Sequence, residues 1–209
     1  MKSFPRRPLY ESFSRLAAVA RGDLPATLVI QNARLLNVLS EEILAGMSVA
    51  VSQDRIAYVG PDPSPMIGPE TLVLDAQGRY LAPGLLDGHC HVESSQITVT
   101  QFARALLPRG VTGIFYDAHE IANVLGLKGL RLFLEESRRT PLLAYLQVPS
   151  CVPAAGKAWE TSGAEMGPSE VAQALSWGDD VIGLGEVMNF PGVVLGDPKM
   201  AGEIAATLK

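Results

Sequence analysis

The stretch Pro83–His91, with the sequence PGLLDGHCH, gives the first indication of how this chain folds. An apolar run over residues 81–86 predicts a strand, and His89 and His91 follow it, two positions apart. Side chains two positions apart in an extended backbone point to the same side, so the two imidazoles can converge on one cation while Cys90 points away. Imidazole is a common metal ligand, but His-x-His alone is a weak pattern. The alternative is a pair of strand-end histidines that only form hydrogen bonds.

Strands and helices alternate through the rest of the chain after Tyr80. Strands are predicted at residues 81–86, 111–116, 142–148 and 181–187. Helices are predicted at 99–107, 121–138 (interrupted by Gly126 and Gly129) and 169–176, and after Pro198. Four such units in series imply an α/β fold with a parallel sheet. A doubly wound sheet and a (β/α)8 TIM-type barrel both satisfy this pattern. Because the barrel needs about 250 residues, this chain would hold only its first half.

A different pattern precedes the strand–helix units. Residues 8–21 have helical apolar spacing and end at Gly22, which predicts one amphipathic helix. Short β-rich runs follow at 27–30, 47–51, 55–59 and 71–74, and glycine, proline, asparagine and aspartate separate them. We expect antiparallel strands with tight connections. The predicted domains are a lead-in at 1–26, a small β module at 27–82 and the βα units at 83–209.

Ionisable side chains also lie at the ends of the second and fourth predicted strands, at Asp117, His119, Glu120 and Glu186. Functional groups of parallel α/β folds gather at the carboxyl ends of their strands, so these side chains are expected to face a common mouth. Glu186 lies at the end of an otherwise apolar strand. An unpaired charge in such surroundings costs free energy, and a bound cation would compensate it. The sequence therefore predicts a metal site formed by His89, His91 and Glu186.

Composition excludes several classes of protein. The 17 basic and 22 acidic residues give a net charge of −5, which argues against a nucleic-acid-binding protein. Apolar runs are shorter than the roughly 20 residues that span a bilayer, so no membrane partner is expected. Two cysteines cannot form a disulfide framework, and they suit a cytoplasmic location. The second-half motifs of cytidine deaminases and zinc proteases are missing.

The motif over residues 83–91 resembles the first-strand motif of the amidohydrolase superfamily, metal-dependent hydrolases on a (β/α)8 barrel flanked by a β-sandwich. Residues 28–34 (LVIQNAR) and 75–84 (DAQGRYLAPG) are similar to the sandwich's opening strand and to its link into the barrel. Within the superfamily, the similarity narrows to bacterial adenine deaminases. It rests on residues 91–95 (HVESS), 118–126 (AHEIANVLG), 149–153 (PSCVP), 160–164 (ETSGA) and 183–193 (GLGEVMNFPGV).

This resemblance implies hydrolytic deamination of adenine to hypoxanthine and ammonia, a purine-salvage reaction. The cofactor would be a binuclear divalent metal centre, usually manganese or iron, with zinc possible, and the full-length protein would be a homo-oligomer. His89 and His91 would bind one metal, and Glu186 would bridge two.

Glu186, His119 and Glu120 are the implied catalytic residues. Asp117, His119 and Glu120 would orient ligands or move protons; the alternative is a cluster that caps the following helix. Ser94 and Ser95 are expected to cap the next helix, and Glu93 either caps it as well or faces the substrate.

The family's remaining ligands, two histidines and an aspartate, come from later barrel strands, and no histidine follows His119. We therefore expect a fragment of the enzyme with little or no turnover by itself. Two other interpretations stay open: an amidohydrolase that acts on a cyclic amide, and a non-catalytic scaffold.

Overall fold

The computed structural model describes residues 7–154, 156 and 158–209. Residues 1–6, the start of the predicted lead-in, lie outside the described residues. The chain divides into two compact units, with the boundary between Pro83 and Gly84. Among the described helices, none combines the length and apolarity that a bilayer crossing requires.

The first unit consists of helix α1 (Leu9–Ala20) and strands β1 (Leu28–Asn37), β2 (Glu42–Ser52), β3 (Arg55–Gly60), β4 (Leu72–Asp75) and β5 (Tyr80–Leu81). Helix α1 confirms the predicted helix, although Leu9 and Phe13 of its apolar face are exposed, and Gly22 follows it with a φ of +80°. A small core lies under the sheet, formed by Val19, Ala26, Val29, Ala50 and Met66.

The strand directions in this unit differ in part from the prediction. The order is β3-β2-β1-β4, and β1 pairs antiparallel with β2, as β2 does with β3. However, β4 and β5 pair with β1 in parallel, so the expectation of antiparallel strands throughout was wrong. Because β2 already occupies one edge of β1, the chain crosses through a 3₁₀ turn at Ser64–Met66 and reaches the other edge in the same direction.

The second unit alternates strands and helices. Its elements are β6 (Leu85–Cys90), α2 (Val99–Leu106), β7 (Val111–Asp117), α3 (His119–Leu125), α4 (Leu127–Ser137), β8 (Leu143–Val148), α5 (Pro168–Leu175), β9 (Val181–Leu184), α6 (Phe190–Leu195) and α7 (Pro198–Leu208). All strand pairs are parallel, in the order β6-β7-β8-β9. The predicted α/β fold with a parallel sheet is therefore confirmed. The strand order follows the chain without the reversal that marks a doubly wound sheet.

The two faces of this sheet differ. Ile114, Tyr116 and Leu146 point to one face and are completely buried with Leu130 and Leu134 of α4. On the other face, Phe115 and Tyr145 stack with ring centroids 5.2 Å apart. Leu86, which shares this face through its pairing with Gly113, is 62% exposed. One face thus holds the core, and the other leaves apolar side chains open.

Glycine breaks the long predicted helix, as expected. Gly126, with a φ of +58°, separates α3 from α4. Gly129 instead lies inside α4, where a Cβ would come 2.7 Å from the carbonyl oxygen of Ile121, so it permits close packing of the two helices. Helix α6 was not predicted; Asn189 begins it by accepting a hydrogen bond from the Gly192 N–H.

Helix α7 buries a carboxylate that has no hydrogen-bond partner in the described part of the chain. Glu203 is 1% exposed, and neither of its carboxylate oxygens is hydrogen-bonded to a described residue. Lys199 Nζ lies 3.7 Å from Oε1. Burial raises the pKa of Glu203 to about 7, and the smaller opposing effect of Lys199 does not cancel this rise.

We expect Glu203 to make the unfolding free energy depend on pH. Its folded pKa of about 7 exceeds the ordinary value of 4.5, so the stabilisation is complete below pH 4.5 and is lost as the pH rises through 7. The loss should be on the order of 3 kcal/mol. Urea titrations at several pH values should show a flatter profile for Glu203→Gln. The matched control Glu135→Gln, at an exposed position, should keep the parent's slope, and a Glu203→Gln slope equal to the parent's would contradict the assignment.

Candidate metal centre

Strand β6 carries the two histidines of the Pro83–His91 motif, although it lies further along the chain than predicted. Pairing with β7 runs from Leu85 to Cys90, so His89 is inside the strand and His91 directly follows it. The two rings meet edge to face, with their centroids 4.9 Å apart. The predicted convergence of the two side chains is present in the structure.

Glu186 lies beside both rings. Its Oε1 is 3.1 Å from His91 Nε2 and 3.8 Å from His89 Nε2. Its backbone is held on both sides, because the Glu186 N–H donates to Asp117 Oδ2 at 3.2 Å and its carbonyl accepts from Ser150 Oγ at 2.6 Å. The side chains of His89, His91 and Glu186 thus form one of the groups able to hold a metal ion.

Hydrogen bonds determine which ring nitrogens are available. His91 Nδ1 lies 2.9 Å from the Asp117 carbonyl oxygen, and His89 Nδ1 lies 3.3 Å from Gln147 Oε1. Since these oxygens only accept, both Nδ1 atoms donate, and the Nε2 atom of each ring is turned toward the Glu186 carboxylate. In a neutral ring Nε2 is an acceptor, as the carboxylate is, and a cation bound between the two would remove the repulsion between them. Metal-binding histidines ordinarily donate their other N–H to such an oxygen.

The surroundings of His91 favour positive charge. Burial lowers the pKa of His91, but the hydrogen bond to the Asp117 carbonyl and the carboxylates of Asp117, Glu120 and Glu186 together raise it above its ordinary value. The same negative surroundings favour a bound cation. Because a proton and a metal compete for Nε2, acid should weaken cation binding.

Asp117 and His119 form a second group with Glu186. The Asp117 side chain is completely buried, and burial raises the pKa of Asp117 although the nearby His119 lowers it. His119 is almost as buried; its Nε2 lies 2.6 Å from the Cys151 carbonyl oxygen, and its Nδ1 lies 3.7 Å from Asp117 Oδ1. Neither Asp117 nor His119 caps helix α3.

Glu93 performs the capping, since its Oε1 accepts a hydrogen bond from the Ile121 N–H. Burial also raises the pKa of Glu93 to about 6. The expectation that Ser94 and Ser95 cap the next helix was wrong: Ser94 donates to Glu120, and Ser95 donates to the Val92 carbonyl. Helix α2 is instead capped through its Val99 N–H, which donates to Glu136.

Glu120 lies at the more open side of this group. Its side chain is 51% exposed, and its Oε2 is 3.9 Å from His91 Nδ1. Ser94 Oγ donates to its Oε1 at 2.5 Å. The structure therefore places Glu120 next to a candidate ligand but does not direct it at its Nε2.

Sequence reasoning missed three contributors to the site. Gln147 accepts from His89, Ser150 holds the Glu186 backbone, and the Cys151 carbonyl orients His119. All three lie at or after the carboxyl end of β8, the strand end that the prediction left without a site residue. Gln147, a polar residue near the end of an apolar strand, was the available signal.

Comparison with known proteins agrees with the motifs. No protein-family model matches the chain. The chain is 68% identical over 204 residues to an adenine deaminase of Rubrobacter xylanophilus, covering 98% of this chain and 34% of that protein. It is 55% identical over 203 residues to an adenine deaminase of Moorella thermoacetica, covering 97% of this chain and 33% of that protein.

The chain therefore spans about a third of the length of the curated relatives it matches. Among solved structures, it resembles a β-aspartyl dipeptidase from Fervidobacterium islandicum, with a TM-score of 0.54 and 17% identity over 87% of this chain and 47% of that one. This likeness concerns the fold alone. Over nearly its whole length, the chain is thus similar in sequence to about a third of the length of the adenine deaminases of these two organisms.

Proposed function

We propose that this chain supplies part of the active site of a metal-dependent adenine deaminase, with a binuclear centre of manganese or iron, or else zinc. One observation carries the proposal: the Nε2 atoms of His89 and His91 both face Glu186 Oε1, while their Nδ1 atoms lie within hydrogen-bond distance of other oxygen atoms. Two ligand atoms bound to one ion at about 2.1 Å lie at most about 4.2 Å apart. Both nitrogen–oxygen distances fall within that limit.

In this proposal, His89, His91 and Glu186 would hold the divalent cations. A bound cation would lower the pKa of a water molecule and supply a hydroxide nucleophile near neutral pH. The chain's own contribution is positional. Gln147 and the Asp117 carbonyl fix the two rings, and the hydrogen bonds from Ser150 and to Asp117 fix the backbone that carries Glu186.

Deamination also requires proton transfer, because the amino group on C6 of adenine must gain a proton to leave as ammonia. We assign this role to Glu120, whose half-exposed carboxylate lies beside His91 and is held by Ser94. His119 is buried, with Nε2 committed to Cys151 and Nδ1 facing Asp117. It therefore fits the orienting role expected of it better than the proton-carrying one.

The architecture of the whole protein is part of the same proposal. The consecutive parallel strands and their open apolar face fit the first half of a (β/α)8 barrel. In the first unit, an apolar pocket of about 550 Å³ lined by β1, β2 and β3 fits one layer of a β-sandwich. The remaining metal ligands and a homo-oligomeric assembly would belong to the whole protein. The free thiols of Cys90 and Cys151 suit a cytoplasmic location. The pathway in this proposal is purine salvage.

A chimera tests the proposal in a complete context. The chain replaces the corresponding segment of the Rubrobacter xylanophilus relative, to which it is 68% identical. Ammonia release is measured with adenine, other purines and cyclic amides, after loading with Mn²⁺ or Fe²⁺. We expect turnover of adenine at rates usual for enzymes, and its loss in the His91→Asn chimera.

Two outcomes would overturn the assignment. A folded, metal-loaded chimera that hydrolyses a cyclic amide but not adenine would identify a different amidohydrolase. A folded chimera that binds no cation and has no activity would favour the scaffold interpretation. The exposed substitution Glu135→Gln serves as the matched control and should leave turnover unchanged.

A further inference from the structure

A second pair of facing acceptors lies behind Glu186. Asp117 Oδ1 and His119 Nδ1 are 3.7 Å apart, and neither atom has a hydrogen-bond partner among the residues that the structure describes. The side chains of Asp117 and His119 are 0% and 10% exposed. Buried polar atoms without partners are rare and costly in folded proteins.

The hydrogen bond of His119 identifies its available nitrogen. Nε2 lies 2.6 Å from the Cys151 carbonyl oxygen, which can only accept, so Nε2 carries the proton. Nδ1 of the neutral ring is then a bare lone pair directed toward a carboxylate. This is the arrangement found at His91, with the two ring nitrogens exchanged: one N–H donates to a backbone carbonyl, and the other nitrogen faces an acidic oxygen.

Distance and chemistry fit a cation better than two unpaired acceptors. The Asp117–His119 separation is within the roughly 4.2 Å that two ligands of one ion can span. The ligand atoms of Asp117, His119 and Glu186 all lie within 4.8 Å of one another, so a small movement of the half-exposed Glu186 completes a three-ligand set. One imidazole and two carboxylates suit Mn²⁺, Fe²⁺ or Zn²⁺.

We infer that Asp117 and His119 bind a divalent cation of their own and share Glu186 with the cation at His89 and His91. This inference deepens the proposed function and rests on its metal centre, but it is independent of adenine as the substrate. The inference differs from the expectation from sequence, in which His89 and His91 bind one metal ion and Glu186 only bridges that ion to a second one. Here the chain provides ligands for two.

Manganese binding to the 209-residue chain tests the inference without any activity assay. Equilibrium dialysis and the electron paramagnetic resonance of bound Mn²⁺ count the ions. We expect two ions per parent chain and one in Asp117→Asn, His119→Gln and His91→Asn. The glutamine can keep an N–H for the Cys151 carbonyl, and the asparagine can keep an oxygen for the Glu186 N–H, so both substitutions remove a ligand while preserving the local hydrogen bonds.

The pattern of losses separates this inference from the proposed function. Two ions in both folded Asp117→Asn and His119→Gln, or one parent ion that only His91→Asn loses, would overturn the second position. One parent ion that survives in His91→Asn and disappears in the other two would support it and remove the His89–His91 position instead. A parent that binds no ion would overturn the inference, while the chimera, which supplies the remaining ligands, would still test the proposed function.

A measurement on the unsubstituted chain covers the case in which a variant does not fold. Nitrogen-15 spectra of the imidazoles report the protonation of each ring nitrogen. On saturation with Zn²⁺, we expect the Nδ1 resonance of His119 to shift as a metal ligand while Nε2 stays protonated. A His119 ring that carries protons on both nitrogens at saturating Zn²⁺, paired with Asp117 as an ordinary ion pair, would overturn the inference.

Discussion

Replacing Glu186 with glutamine is expected to weaken divalent-cation binding at least about 100-fold, because the carboxylate is the one side chain common to both ligand groups. Substitutions behind a metal ligand already cost about 10–100-fold in affinity, and loss of a ligand should cost more. Glutamine keeps the size of the side chain and the backbone hydrogen bonds of residue 186, so the effect isolates the charge. Mn²⁺ titration of the chain measures the affinity, and the chimera reports the accompanying loss of turnover.

The control for this change is Glu135→Gln, which removes the same charge from an exposed pair with Arg131 on α4. Its Mn²⁺ affinity should equal that of the parent. Unchanged affinity in Glu186→Gln would mean that Glu186 is not a ligand, and the metal centre proposed above would have to be abandoned.

Replacing Gly185 with alanine should destabilise the chain by about 2–4 kcal/mol and weaken cation binding as well. A Cβ at Gly185 would lie 2.2 Å from Asp117 Oδ2 and 3.3 Å from the Val148 carbonyl oxygen. The completely buried Asp117 carboxylate would have to move, which costs about 1–3 kcal/mol for overpacking and about 1 kcal/mol or more for the hydrogen bond from the Glu186 N–H. Urea unfolding measures the stability, and Mn²⁺ titration measures the site.

Gly88→Ala is the matched control, since it makes the same change beside another candidate ligand. A Cβ at Gly88 meets nothing within 4 Å. We expect a change in stability within about 0.5 kcal/mol. Equal effects of the two substitutions would show that the loss comes from glycine itself rather than from the close approach to Asp117.

The sequence predicted the parallel sheet and the meeting of His89, His91 and Glu186 for sound physical reasons. Alternating apolar and polar runs establish the strand–helix order, and parallel strands bring their carboxyl ends to one edge. The period of two along a strand then predicts that both imidazoles point the same way. These steps use only local spacing and topology, and they need no knowledge of side-chain packing.

Features that depend on long-range pairing could not be predicted in this way. The start of β6 is set by its register with β7, which moved His89 into the strand. The parallel pairing of β4 depends on which edge of β1 is already occupied. The hydrogen bond between His119 and the Cys151 carbonyl joins residues 32 positions apart, and no local sequence pattern predicts such a contact.

The two hydrogen bonds that hold the Glu186 backbone have a thermodynamic consequence. Residue 186 follows a strand of four residues, yet its N–H and carbonyl are hydrogen-bonded to the side chains of Asp117, at the end of β7, and Ser150, just after β8. Folding has therefore already restricted the main chain, and only side-chain rotation remains to be lost when a ligand arrives. Pre-organisation of this kind reduces the entropic cost of association, so calorimetric titration should show little of the unfavourable entropy that accompanies loop ordering.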